Sequence, residues 1–169
     1  MTFTDSAIVL ERTNFRENDK RLTFYTKGRG RLTAVAVGAK KITSKLSGHL
    51  EPFTMVRVMI AAGRRFDKVA QAQSLWRPKN ISHERLVLFS AAAELLLRAT
   101  RDGVSDPALF DEFFLAENAL DAAPNLIACR EVWEEFAKKV IKRLGYGAVI
   151  GDARAAVQKY LEFDLKSLG

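Results

Sequence analysis

The chain has 169 residues, 48% of them apolar, and carries 27 Lys or Arg against 20 Asp or Glu for a formal net charge of +7. That length allows one domain or two small ones, and the apolar content is ample for packed cores. No run approaches the roughly 18 apolar residues of a membrane span, the start MTFTDSAIVL lacks the basic region and cleavage site of a signal peptide, and the single Cys129 excludes an intramolecular disulfide and a thiolate zinc site.

The expectation is therefore a cytoplasmic protein. Its charge is unevenly spread. The first 79 residues hold 16 Lys or Arg and 6 Asp or Glu, while the remaining 90 hold 11 and 14. A small, strongly basic, strand-rich module has the electrostatic footprint of a nucleic-acid binder, and a mildly acidic helical part suggests a separate task.

Five strands are predicted in the basic part. Residues 5–12 (DSAIVLER) are apolar and β-branched at their centre. Residues 20–26 (KRLTFYT) alternate, and Gly28 and Gly30 in KGRGR supply a tight turn into residues 31–37 (RLTAVAV), which makes 20–37 a hairpin. A linker over residues 38–50, rich in Gly, Ser and Lys, separates the third strand from the fourth. Residues 52–61 (PFTMVRVMIA) alternate, with Val56, Val58 and Ile60 on one face. Residues 66–76 follow the turn at Gly63. Five short strands in under 80 residues suit a small closed barrel.

Pro78 marks the boundary, and from Ser82 the periodicity is helical. Ser82 caps a long, largely apolar helix expected to be central and buried. Asp106 caps a second helix with Pro107 in its first turn and Leu109, Phe110, Phe113 and Phe114 on its apolar face. A third runs from about Leu126 to Leu144, with Val132, Trp133, Phe136, Val140 and Leu144 as its core stripe and Gly145 ending it. Asp152 opens a last helix. The fold class is thus α+β, with domains at 1–79 and 80–169.

The cations cluster in predicted turns: Arg29 and Arg31, with Lys27, around the hairpin; Lys40, Lys41 and Lys45 in the linker; Arg64 and Arg65 at the later turn. Turns at one rim of a small barrel lie close together, so these charges are expected to sum into one field able to neutralise phosphates. Phe15, Phe24, Tyr25, Phe53 and Phe66 are candidates for base stacking. Tyr25 and Phe66, beside basic turns, are preferred. His49 and His83 lie in different domains with no carboxylates at ligand spacing, so neither a metal site nor an acid–base pair is predicted. The sequence holds no P-loop, GxGxxG or GxSxG, and it offers no enzyme and no cofactor. The surplus of large apolar residues in the helical part, Phe110, Phe113, Phe114 and Trp133 among them, suggests a groove for a peptide or partner helix.

The stretch AIVLERTNFRENDKRLTFYTKGRGRLTAVAVGAKK, followed by SKLSGHLEPFTMVRVMI, resembles the N-terminal domain of the RecO family of bacterial recombination mediators. The pattern is a strand, an acid-containing loop before "DK", a "T…G" hairpin into "RL", "GA" with basic residues, and "SxLxGxLEPF". SDPALFDEFF, the helix end RLGYG and the terminal YLEFDLKSLG resemble later segments of the same family. Many members carry four zinc-binding cysteines between the "LGY" helix and the last helix. GAVIGDARAAVQK fills that interval here without a cysteine, so zinc is not carried over.

The resemblance implies an OB-fold followed by a helical domain. It implies binding of single- and double-stranded DNA, annealing of complementary strands, action with RecR in loading RecA onto SSB-coated DNA, and a helical-domain groove for the acidic, apolar SSB tail. Arg31, Lys40, Lys41 and Lys45 match the motifs and are the implied DNA contacts. Arg29, Arg64 and Arg65 rest on charge and turn position. An RNA-binding OB-fold, and an adaptor that binds no DNA itself, are the alternative readings of the same residues. The expected location is the bacterial cytoplasm, on the nucleoid.

Overall fold

The computed structural model describes residues 1–161 and 166–168. The terminal motif YLEFDLKSLG therefore lies partly outside the described residues. The chain forms two compact units: Met1–Arg77 with Arg101–Phe110, and Pro78–Thr100 with Asp111–Gly169. The sequence boundary near Pro78 omits the return of Arg101–Phe110 to the first unit.

The first unit is a closed five-stranded barrel in the order β1-β2-β3-β5-β4, built from β1 (Thr2–Asn14), β2 (Lys20–Thr26), β3 (Gly30–Ala36), β4 (Met55–Ala61) and β5 (Asp67–Trp76). This is the strand order of an OB-fold. One long strand serves two neighbours. The early part of β1 pairs with β4, from Thr2↔Ala61 to Ile8↔Met55, and its later part pairs with β2, from Ala7↔Thr26 to Asn14↔Lys20. The register shifts between Val9 and Glu11, and such a bulge bends a strand between partners. Parallel pairing of β3 with β5 at Ala34↔Asp67 and Val35↔Lys68 closes the cylinder.

The inward residues follow the alternation in the sequence. Ala7, Val9, Leu22, Phe24, Ala34, Val56, Val58 and Ile60 form a buried cluster. At about 25 cal/mol per Å² of apolar surface removed from water, such a cluster is the main favourable term holding the barrel. Phe53 stands at φ 66°, an unusual conformation for a bulky residue, and its N–H donates to the Val9 carbonyl at 2.8 Å.

The second unit contains α1 (His83–Ala99), the greater part of α2 (Pro107–Ala122), α3 (Leu126–Ile141) and α4 (Ala153–Leu161). Ser82 and Asp106 cap their helices as expected, and Asn125 caps the third. Ser82 Oγ accepts from Arg85 N, Asp106 Oδ1 from Leu109 N, and Asn125 Oδ1 from Ala128 N. The Arg85 guanidinium donates to the carbonyls of Leu120 and Ala123, meeting acceptors that the end of α2 would otherwise leave open. α3 packs against both α1 and α4. Buried Phe89, Leu95, Leu96, Leu120, Trp133 and Val140 fill the interior. Leu144 departs from its predicted place in the core stripe and is 40% exposed. Regular helix stops at Ile141, a wider π-type turn follows over Lys142–Tyr146, and Gly145 takes φ 92°. Glu117 on α2 is fully buried, no hydrogen-bond partner meets its carboxylate oxygens among the described residues, and burial raises its pKa well above the ordinary carboxyl value.

Candidate nucleic-acid interface

Three loops of the first unit meet at one rim of the barrel. The loop after β1 is a tight turn in which Phe15 N donates to the Asp19 carbonyl and Asp19 N to the Arg16 carbonyl. The linker after β3 is fastened to it. Gly38 N donates to Asp19 Oδ1 at 2.8 Å, Lys40 N to the Asn18 carbonyl at 3.0 Å, and Lys40 Nζ to the Arg16 carbonyl at 2.8 Å. A short acid at a turn holds backbone N–H groups in this way, which explains why Asp19 is nearly buried on a basic surface.

The third loop joins β4 to β5. A Cβ on Gly63 would stand 2.1 Å from the Phe66 carbonyl oxygen, so the turn admits only glycine there. That turn delivers Phe66 to Phe15, with ring centroids 5.5 Å apart and planes at 78°, an edge-to-face pair.

Cations crowd this pair. The Arg16 guanidinium lies 5.1 Å from the Phe15 centroid and 5.0 Å from that of Phe66, and the Arg21 guanidinium lies 4.4 Å from Phe15. Lys40, Lys41, Lys45, Arg64 and Arg65 are exposed on the same loops. Among the described residues, no carboxylate stands within salt-bridge distance of any of these side chains. Glu17, Asp19 and Asp67 on these loops offset part of the charge, and the rim keeps an excess of cations beside half-exposed aromatic rings.

The hairpin end is different. β2 and β3 pair from Lys20↔Ala36, beside the rim, to Thr26↔Gly30, at the turn. At about 3.3 Å per residue these ends are roughly 20 Å apart. The expectation of one summed field is therefore corrected, because the turns lie at two ends. The segment Arg101–Phe110 lies on this end. Arg31 Nε donates to Asp102 Oδ1 at 2.5 Å, Gly103 N donates to the Arg31 carbonyl, and a Cβ on Gly30 would fall 2.0 Å from the Val104 carbonyl oxygen.

Tyr25 is fully buried, with its ring 6.4 Å from and nearly parallel to that of Phe110. It has no face open to a base, and its selection as a stacking residue is corrected. Phe24 and Phe53 are buried as well. Arg31 is a paired residue. Arg29 is exposed, with its guanidinium 3.9 Å from the Phe3 centroid. Of the five aromatic candidates, Phe15 and Phe66 are the two that lie half-exposed in loops; sequence reasoning preferred Phe66, ranked Phe15 below it, and passed over Arg16 and Arg21. The signal was present: Phe15–Arg16 and Arg65–Phe66 each set an arginine next to a phenylalanine in a loop.

The helical candidates are mostly core. Phe110, Phe113 and Trp133 are buried, and Phe114 is half-buried. They do not line a peptide groove, because the alternation that makes them conspicuous points them inward. An open groove of about 610 Å³ does run between α2 and α3 over Leu115, Ala119, Val132 and Phe136, with Glu112, Glu131, Glu135 and Lys139 also lining it. Among the described residues, no group of three or more His, Cys, Asp or Glu is gathered to hold a metal. His49 Nδ1 lies 3.0 Å from Ser74 Oγ and accepts from Ser74 N at 3.2 Å, a structural contact. No described helix is long and apolar enough to cross a membrane.

Residues 1–76 match the family model described as recombination protein O N terminal. Over 75 residues the chain is 43% identical to the DNA repair protein RecO of Nocardioides sp. (strain ATCC BAA-499 / JS614), covering 44% of this chain and 31% of that protein. It is 37% identical over 106 residues to the DNA repair protein RecO of Pelotomaculum thermopropionicum, covering 62% and 41% respectively. With that of Bifidobacterium longum subsp. infantis it shares 30% identity over 162 residues, covering 91% of this chain and 68% of the relative. Across these three the matched segments span from about a third to about two thirds of the relative's length.

Proposed function

The chain belongs to the RecO family, and from that premise we propose that it acts in DNA repair and recombination as a non-catalytic mediator. In this reading the rim of the barrel binds single- and double-stranded DNA by its phosphates. With two strands held, bound Lys and Arg screen their mutual repulsion, complementary bases pair, and no chemical step is needed. With RecR the protein assists RecA loading onto SSB-coated strands, in the cytoplasm at the nucleoid. The observation that carries the reading is the set of cations on three joined loops, Lys40, Lys41, Lys45, Arg64 and Arg65 with Arg16 and Arg21, none matched by a carboxylate among the described residues. Arg29 is a separate contact at the far end, and Arg31 contributes least because Asp102 holds it.

The SSB tail is a second proposed partner. The apolar floor of the α2–α3 groove suits the hydrophobic end of such a tail, whereas Glu131 and Glu135 oppose its acidic part. The contact is expected to be weak and to strengthen in Glu131→Gln/Glu135→Gln, read by fluorescence anisotropy of a labelled tail peptide.

The direct test is binding of oligo-dT across a salt series. Log affinity should fall linearly with log salt, at about −0.7 per phosphate neutralised on a single strand. A flat response overturns the reading. Competition between RNA and single-stranded DNA of equal length separates the DNA reading from an RNA-binding one. Capture of RecR with no DNA shift at low salt would leave an adaptor instead.

A further inference from the structure

We infer that Phe15, Phe66 and Arg16 form a seat for one unstacked nucleobase of a single strand. The inference rests on the reading that the rim binds nucleic acid. It adds a contact that charge alone does not supply, one made to a base and not to a phosphate.

Two features mark this corner, which differs from the single half-buried ring of Phe3 under Arg29 in offering two rings from different loops. The first is the exposure of its rings. Phe24, Tyr25 and Phe53 are buried, whereas Phe15 and Phe66 come from different loops and each keeps a partly open surface. The second is the group already resting on them. The Arg16 guanidinium lies at nearly equal distances, 5.1 and 5.0 Å, from both centroids. A guanidinium is flat and weakly hydrated, and it stacks where a flat π-system stacks. A base has the same shape and a larger face, and base–aromatic stacking is tolerant of sequence because every base offers such a face.

The seat is also rigid before anything binds. Asp19 and Lys40 fasten the loop that carries Phe15, and the glycine-only turn at Gly63 sets Phe66. Little ordering is left to oppose binding. When a base moves onto the rings, exposed Arg16 swings aside to the phosphate next to it, so the displaced cation remains a contact. In a duplex both faces of each base are covered by neighbours, and the seat stays unused. The rim therefore holds either form of DNA by charge, and this corner adds affinity only for the unpaired form.

The experiment compares oligo-dT with an abasic single strand of equal length and charge, at fixed salt, on the intact protein and on Phe15→Leu and Phe66→Leu. Leucine keeps apolar contacts at both sites, and thermal unfolding verifies the fold of each variant. The intact protein should prefer oligo-dT by about 10-fold or more. Either substitution should bring that ratio to within about twofold while leaving the salt slope, which counts phosphates, unchanged. Charge reversal at Lys41 and Lys45 should lower affinity for both oligonucleotides and leave the ratio intact. Equal, salt-sensitive affinity of the intact protein for the two strands would overturn the base seat and leave the phosphate reading standing. Failure to bind either strand would overturn both.

Discussion

The two ends of the β2–β3 ribbon carry cations of the same kind, yet at the hairpin a carboxylate holds Arg31, whereas none among the described residues stands within salt-bridge distance of the rim cations. At the rim, Arg16 and Arg21 rest on rings, Lys40 braces a loop, and Arg64 and Arg65 face outward with no carboxylate opposite. At the hairpin, Arg31 is tied to Asp102, Tyr25 is covered by Phe110, and Arg29 lies on Phe3. The segment Arg101–Phe110, which follows α1, supplies both Asp102 to Arg31 and Phe110 to Tyr25. Positive charge written into a turn is therefore a statement about potential only. Its availability depends on which distant segment packs on that turn.

The largest effect is expected from Gly30→Ala. Its Cβ would meet the Val104 carbonyl at a backbone φ of 70°, and overpacking plus left-handed strain should destabilise the protein by about 3 kcal/mol. Calorimetry checks the loss. An unchanged Tm would mean that Arg101–Phe110 does not clamp the hairpin, and the contrast between the ends would dissolve.

Glu117→Leu should act in the opposite direction, removing an unsatisfied buried carboxyl and stabilising the second unit by about 1–3 kcal/mol. The sign of its pH dependence follows from a raised native pKa. The neutral carboxyl is tolerated at acid pH, and the native state loses stability as pH rises from the ordinary carboxyl range through the raised value. The benefit of leucine should therefore grow with pH, as urea unfolding at pH 5 and pH 8 would reveal. It should leave DNA affinity at the rim unaltered, a control showing that stability elsewhere does not drive binding.

Arg64→Glu/Arg65→Glu should cut affinity for oligo-dT about tenfold near 0.1 M salt and reduce the salt slope by about 1.4. Arg29→Glu should change affinity less than threefold. Comparable losses from both would break the distinction between the ends. Asp102→Ala should have the smallest effect. The pair it removes is partly exposed, with Asp102 largely in water, and contributes about 0.5 kcal/mol or less. Releasing Arg31 should raise affinity slightly, as titration by anisotropy can register.

Much of the fold was legible because it rests on local signals. The alternation in KRLTFYT fixed β2, valines at 56 and 58 fixed the inner face of β4, and Ser82 and Asp106 sit where helix caps are needed. One misreading, Leu144, has a local cause in the wide turn at Lys142–Tyr146; those at the hairpin involve contacts between residues far apart in the chain. RDGVSDPALF reads as the end of one helix and the capped start of the next, and nothing in it announces a bond from Asp102 to a residue 71 positions earlier. Tyr25 stands on the outward side of its strand, where alternation predicts exposure, and Phe110 from a distant segment packs on it. The rim was half seen. Phe66 and the linker lysines were legible by composition, but the meeting of Phe15 with Phe66 depends on barrel closure, which no local pattern encodes.

That closure is also the barrel's thinnest seam. β3 and β5 share only two residue pairs, whereas β2 and β3 share seven. Phe66 precedes the first residue of this seam. Breathing of a cylinder begins where its staves are least joined, so amide protons at Val35 and Lys68 should exchange early, and a strand bridging the adjoining loops would act as a hoop. Occupancy of the corner by DNA would then be recorded as slowed exchange along a line the nucleic acid never touches.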